Sequence, residues 1–253
     1  MGRKINNLLL EFARLHRFMM RFFREVVNPP FELKEIIRQG YEIGWKSFPL
    51  ISLTGFIVGF VFTKQSRPSL EEFGATSWLP AMISIAIVRA LAPLVTALIA
   101  SGKVGSQIGA ELSSMNVTEQ IDAMEVSGTN PFKFLIVSRI LATTIMIPIL
   151  CFYVAGIGLF GGYLSIISVD DLSLLSFFTQ VFDKIKLVDV FAMALRAVVF
   201  GFTIGFTSCY VGYYSSKGTE GVGKAANSAV VASMFIVFIE ELLIVQVLSL
   251  LSY

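Results

Sequence analysis

Histidine and cysteine are nearly missing from this sequence, and charge is scarce. One histidine, His16, and two cysteines, Cys151 and Cys209, are all that 253 residues supply. A His-based metal site, a His-dependent catalytic triad or a disulfide scaffold therefore has almost nothing to be built from. Both cysteines lie inside apolar runs and read as small buried hydrophobes, so no redox compartment follows from them. Charged residues make up only 15% of the chain, against roughly 25% in ordinary soluble domains. Hydrophobic residues reach 55% and the mean hydropathy is +0.75. A soluble fold of this size could not hide so much apolar surface, and a disordered or collagen-like chain is excluded by the same composition. The net charge of +2 is too small for a nucleic-acid surface, which needs a clustered basic face. What remains is a membrane protein.

A spanning helix needs about 20 mostly apolar residues. Charge-poor intervals give five candidates: Ser47 to Thr63, about Trp78 to Gly102, Ile140 to Val169, about Val190 to Ser216, and about Ser228 to the terminus. The third is long enough to tilt, or to break at Pro148 and Gly156/Gly158. A short helix over about Phe31 to Trp45 leads into the first. Lys and Arg in the connections sum to fourteen on one side and four on the other. The richer side is expected to be cytoplasmic, which places the N-terminus inside and Tyr253 outside.

The N-terminus lacks the uninterrupted apolar core and small-residue cleavage site of a signal peptide. It reads as an amphipathic helix instead. Ile5, Leu8, Leu9, Phe12, Leu15, Met19, Phe22, Phe23 and Val26 follow the helical period, with Arg14, Arg17, Arg21 and Arg24 opposite. Such a helix lies in the membrane interface or packs on a protein partner. Asn28-Pro29-Pro30 ends it. The division expected is an N-terminal interfacial segment, 1–46, and a five-span domain, 47–253. Glycine pairs at helical spacing, Gly55/Gly59, Gly105/Gly109 and Gly201/Gly205, permit close helix approach.

Between the second and third spans lies GKVGSQIGAELSSMNVTEQIDAMEVSG, from Gly102 to Gly128. Ile108, Leu112 and Met115 form an apolar stripe that Ile121 and Met124 continue. Asn116 with Glu119 resembles a capping box. Glu111, Glu119, Asp122 and Glu125 make the segment acidic, which is unusual for a cytoplasmic connection. An acidic, Met-containing amphipathic helix suits a docking surface for a basic groove on a soluble partner; the alternative is an interfacial helix without one. Farther on, Gly218-x4-Gly223-Lys224 imitates a phosphate-binding loop. Ala225 stands where a Mg²⁺-holding Ser or Thr is required, and a span precedes it rather than a strand. ATP chemistry is therefore expected on another chain.

Ala110-Glu111-Leu112, Met115, the run Thr118 to Glu125, and the later Gly218-Thr-Glu-Gly-Val-Gly223 followed by Ala229-Val-Val-Ala carry a resemblance. Together with the Pro93-led span before them, they resemble the MlaE/YrbE permease family, the membrane subunits of MCE-type lipid ABC transporters, over about residues 40–253. Lys103 replaces the family's usual Arg. The resemblance implies an all-α integral membrane fold: an interfacial helix, five spans, N-in/C-out, and a coupling helix over about 103–128. It implies that Glu111, Met115, Thr118, Glu119, Asp122, Met124 and Glu125 meet an ABC ATPase. It also implies a homodimer in the bacterial inner membrane, a periplasmic ring of MCE proteins and, in some systems, a STAS-domain protein. No cofactor is expected on this chain; ATP and Mg²⁺ belong to the ATPase, and phospholipid or a related lipid is the substrate.

Charges within spans are expensive, about 2.5–3.5 kcal/mol each on insertion scales. Arg89 and Glu240 both fall near mid-depth by residue count. They read as a structural ion pair or as contacts for a lipid head group, while Arg196, nearer its span end, is expected to snorkel. Pro93 cannot donate to the Arg89 carbonyl, which predicts a free acceptor and a kink. The family commonly has Glu after this Arg, where Ala90 stands here; Glu240 matches its acidic position in the last span. Phe56, Phe60, Arg89, Val95, Phe235 and Glu240 are the expected lining of a dimer cavity. The rival readings are a secondary transporter or channel using Arg89 and Glu240, and a membrane enzyme, for which the sequence offers no nucleophile–base pair.

Overall fold

The computed structural model describes residues 2–168 and 172–251, and the side chains of 9–168 and 172–250. The expected span end at Val169, the placement of Tyr253, and the side chains of Ile5 and Leu8 lie outside these. The described residues are helical almost throughout. They form α1 (Gly2–Val27), α2 (Leu33–Glu72), α3 (Thr76–Val117), α4 (Gln120–Val126), α5 (Phe132–Ile167), α6 (Leu174–Lys184), α7 (Leu187–Tyr213) and α8 (Thr219–Leu251). Five of them, α2, α3, α5, α7 and α8, are long and apolar enough to cross a membrane. They contain the first two intervals that the sparse charges marked out and the described body of the other three, of which the fourth was expected to run to Ser216 but stops at Tyr213.

Two junctions differ from expectation. The short helix over 31–45 and the first span are one unbroken helix, α2, with Pro49 and Pro68 inside it. Likewise α5 passes through Pro148 without a break. α3 instead is loosened twice, by wide π-type turns at Ile87–Leu91 and Ser101–Gly105.

α5 is the central post. It packs along α2 on one side and α7 on the other, while α8 lies on α3 and α7. Glycine makes the α2–α5 contact possible: a Cβ on Gly59 would collide with the Gly158 carbonyl, and one on Gly161 with that of Phe56. Gly205 and Gly201 press in the same way on α5 at Thr143. Each expected glycine pair is thus a packing surface.

Two buried clusters fill the bundle. One, at the end carrying the 118–131 connector, joins Phe18 and Phe22 of α1 to Ile108, Leu112, Ile121, Phe132, Ile136, Phe200 and Ile204. The other, at the opposite end, joins Ile51, Ile83, Leu150, Val154, Phe177, Val181 and Met193. α1 packs on its own chain: Phe18 sits edge-on against Phe132, Phe206 and Tyr210 at 5.1–5.4 Å. Phe12, Met20 and Phe23 on other sides of α1 stay exposed. α6 was not foreseen. Ser173 caps it, its Oγ accepting from the Ser176 N–H at 3.2 Å, and its Phe177 and Val181 are fully buried.

Candidate functional site

The polar interior is built on the first wide turn of α3. Pro93 has no N–H for the Arg89 carbonyl, and the chain widens at Ile87–Leu91 just before it. The carbonyl so released is taken by the Arg196 guanidinium of α7, whose Nη1 donates to it and also to Glu241 Oε1 of α8 at 2.8 Å. One cation thereby ties three helices together. Arg196 is only 6% exposed and lies nine residues into α7, about 14 Å along it. It is a buried cation bonded inside the bundle, and the expectation that it snorkels out is corrected. Beside it, Thr203 Oγ1 donates to Glu240 Oε1 at 2.5 Å. Among the described residues, Arg196 Nε and the Oε2 atoms of Glu240 and Glu241 are buried without a hydrogen-bond partner. The cluster is held together but not saturated.

Arg89 does not pair with Glu240 within the chain. Its Nε lies 2.7 Å from Asp189 Oδ1, and its Nη2 donates to Oδ2 at 3.2 Å. Asp189 is fixed in turn because Oδ2 accepts the Lys186 N–H at 3.0 Å in the capping box that starts α7. The Arg89 backbone thus lies at the depth of the Arg196 head, while its side chain reaches toward the opposite end of the bundle. That side chain is still 48% exposed. Of the other expected lining residues, Phe56 and Phe60 stack at 6.2 Å on α2. Val95 is half-buried on α3, and Phe235 lies exposed on α8. They are spread over helices with different neighbours, and the chain alone does not gather all six.

The acidic segment divides. Ser106–Val117 is the end of α3 and packs inside the bundle, with Ile108 and Leu112 buried. The capping box expected at Asn116 is absent: Asn116 is still helical and its Nδ2 donates to the Ser215 carbonyl at 3.4 Å. The break is made by Glu119 itself, with φ 58°. Ile121 turns inward and Met124 packs partly against the same core. Glu111 is only partly covered, its side chain 41% exposed, yet it is engaged within the chain, 3.2 Å from the buried Arg139 and accepting from Gln107 at 2.8 Å. Met115 is half-buried. What faces outward is Thr118, Glu119, Asp122 and Glu125, followed by a fully displayed Val126. The apolar stripe is this chain's own core, and the acidic edge is the available surface.

Sequence reasoning missed Asp189 and Thr203, gave Arg196 no role, and preferred Glu240 over the adjacent Glu241 as the intramembrane carboxylate. Asp189 stood one residue before the expected start of its span, and Arg196 was judged by sequence depth alone. No group of three or more His, Cys, Asp and Glu side chains among the described residues could hold a metal ion.

The family model described as Permease MlaE matches residues 36–247. A probable ABC transporter permease protein of Rickettsia typhi is 38% identical over 223 residues, 88% of this chain and 86% of its own. One of Synechocystis is 32% identical, covering 87% of this chain and 83% of its own. One of the alga Pyropia yezoensis is 30% identical over 94% of this chain and 90% of its own.

Proposed function

The chain belongs to the MlaE permease family, and on that premise we propose that it carries phospholipid, or a closely related lipid, through the bacterial inner membrane. As a multi-pass permease subunit of an ABC transporter it is not itself an enzyme, and nucleotide is bound and hydrolysed on partner ATPase subunits. The observation that supports the lipid reading is the unsaturated charge cluster on α3, α7 and α8. Charge is retained inside the membrane, where it is costly, beside a helix that this chain scarcely covers: only 17% of the most apolar stretch of α8 is buried. A second copy of the chain against α8 would close a cavity with a hydrocarbon wall and a polar patch, the two chemistries of a phospholipid.

In this reading Phe56, Phe60, Val95 and Phe235 face acyl chains. Arg89 offers its exposed guanidinium to a phosphate, and Glu240 meets a cationic head group. Thr118, Glu119, Asp122 and Glu125 at the outer edge of the connector, with Glu111, Met115 and Met124 bracing it from behind, transmit the ATPase stroke. The connector end is cytoplasmic; α1 is the interfacial segment, whereas α2 runs unbroken across the boundary expected at residue 46 and enters the membrane with the permease domain; and an MCE ring receives the lipid on the far side. A STAS-domain protein is a further candidate partner. The test is movement of a labelled phospholipid in proteoliposomes holding the permease and its ATPase. ATP-dependent movement is expected; movement without ATPase or nucleotide would favour a secondary transporter instead.

A further inference from the structure

A second lipid-shaped feature lies away from α8, between the first half of α2 and the middle of α5. There the two helices, in tight contact at Gly59, diverge to leave an open groove of about 640 Å³. Its floor is formed where Gly40 and Gly44 leave room for Met146: a Cβ on Gly44 would overlap the Met146 methyl, and one on Gly40 would lie in contact with the same side chain. One wall is a ladder of rings: Tyr41 on Trp45 at 6.3 Å, Trp45 on Phe48 at 6.2 Å, and Phe48 against Tyr153 at 4.5 Å. The other is Ile145 and Ile149, both more than half exposed.

Three features of the groove decide its occupant. From Ile36 to Phe48 it follows twelve residues of helix, about 18 Å, close to the thickness of one leaflet's hydrocarbon, about 15 Å. Its lining is apolar and aromatic side chains almost throughout, the surface that suits a flexible acyl chain. At its mouth the helical spacing Lys34, Ile37, Tyr41 puts an exposed ammonium on the groove's own face, next to rings of the kind that sit at head-group level. We propose that the groove holds one acyl chain of an anionic phospholipid from the leaflet at the connector end, with its phosphate at Lys34. This does not rest on the transport reading, because neither α8 nor the charge cluster takes part.

Tryptophan reports on the groove directly, since Trp45 lines it and Trp78 is the only other one. The full chain carrying Trp78→Phe, in detergent micelles, is titrated with phosphatidylglycerol brominated on its acyl chains. Quenching of Trp45 should saturate near one lipid per chain. Lys34→Ala should raise the half-saturation about tenfold, the loss of one charge-assisted contact, and brominated phosphatidylcholine should bind more weakly than phosphatidylglycerol to the parent. Ile145→Phe with Ile149→Phe fills the groove from positions facing the membrane and should abolish the saturable part, with elution volume and helical content unchanged. Quenching that rises with lipid fraction without saturating, or saturation that survives the filled groove, overturns the proposal. Equal half-saturation with and without Lys34 overturns the phosphate contact.

Discussion

Arg196 has to satisfy acceptors on two other helices at once, the Arg89 carbonyl of α3 and Glu241 of α8. Removing it leaves a buried carboxylate and a buried carbonyl without their donor, a loss of about 3–5 kcal/mol for a buried pair. Arg196→Leu should therefore collapse the yield of monodisperse protein. Arg196→Leu with Glu241→Leu should recover much of it, since two apolar residues of similar size replace a buried pair at little cost. A double variant no better than the single one would show that the carbonyl contact, not the ion pair, dominates. Arg89 should behave differently. Its own side chain is 48% exposed although that of its partner Asp189 is only 13%, and ion pairs with an exposed member contribute about 0–1 kcal/mol. Arg89→Ala should purify at parental yield yet lose ATP-driven lipid movement; normal movement would remove Arg89 from the site. This division of labour was not legible in the sequence. Depth along a helix can be counted, but which carboxylate meets which cation depends on helix rotation, and a wide turn in α3 changes that rotation.

At the scale of elements, the glycine contacts separate two kinds of small residue. A Cβ on Gly59 meets the backbone of α5, which cannot yield, whereas one on Gly156 meets nothing within 4 Å. Gly59→Ala should lower the thermal midpoint in detergent, as overpacking costs typically about 1–3 kcal/mol, and Gly156→Ala should leave it unchanged. Equal effects would mean that helix propensity rather than packing is being measured. The connector makes a second distinction between faces of one segment. Glu119→Lys with Asp122→Lys reverses charge only on the outer edge and should weaken copurification of the ATPase without loss of permease yield, and high salt should weaken the parental contact too. Glu111→Lys should instead harm the permease, because Glu111 faces the buried Arg139. Unchanged ATPase recovery after the double reversal would sink the electrostatic contact. The acidic run was visible in the sequence, but its apolar stripe could have faced either a partner or the chain's own core, and only the packing of Ile108, Leu112 and Ile121 distinguishes them.

At the scale of the whole molecule, the five spans were legible because a charge in hydrocarbon is costly enough to punctuate the sequence. The assembly was not, because an apolar side chain looks the same facing lipid, its own bundle or a second copy. The packing narrows that choice. α8 touches its neighbours through Ala225, Ala229, Ser233 and Val237, while Phe235 and Leu242 are about two-thirds exposed. A homodimer through α8 would cover that outer face and enclose the cluster at Glu240 and Glu241. Introduced cysteines can test this cleanly, because Cys151 and Cys209 are both free and buried and should not compete. Oxidation of membranes carrying Leu242→Cys should give a disulfide-linked dimer. Leu175→Cys on α6, exposed to 77% but at the edge of the opposite end, should not. Glu241→Gln should leave the Leu242→Cys product in place if apolar packing holds the interface, and should diminish it if the carboxylate also reaches across. Cross-linking at Leu175 as strong as at Leu242 would mean random collision, and none at Leu242 or in a Phe235→Cys variant would move the interface off α8, taking with it the cavity expected between the two copies.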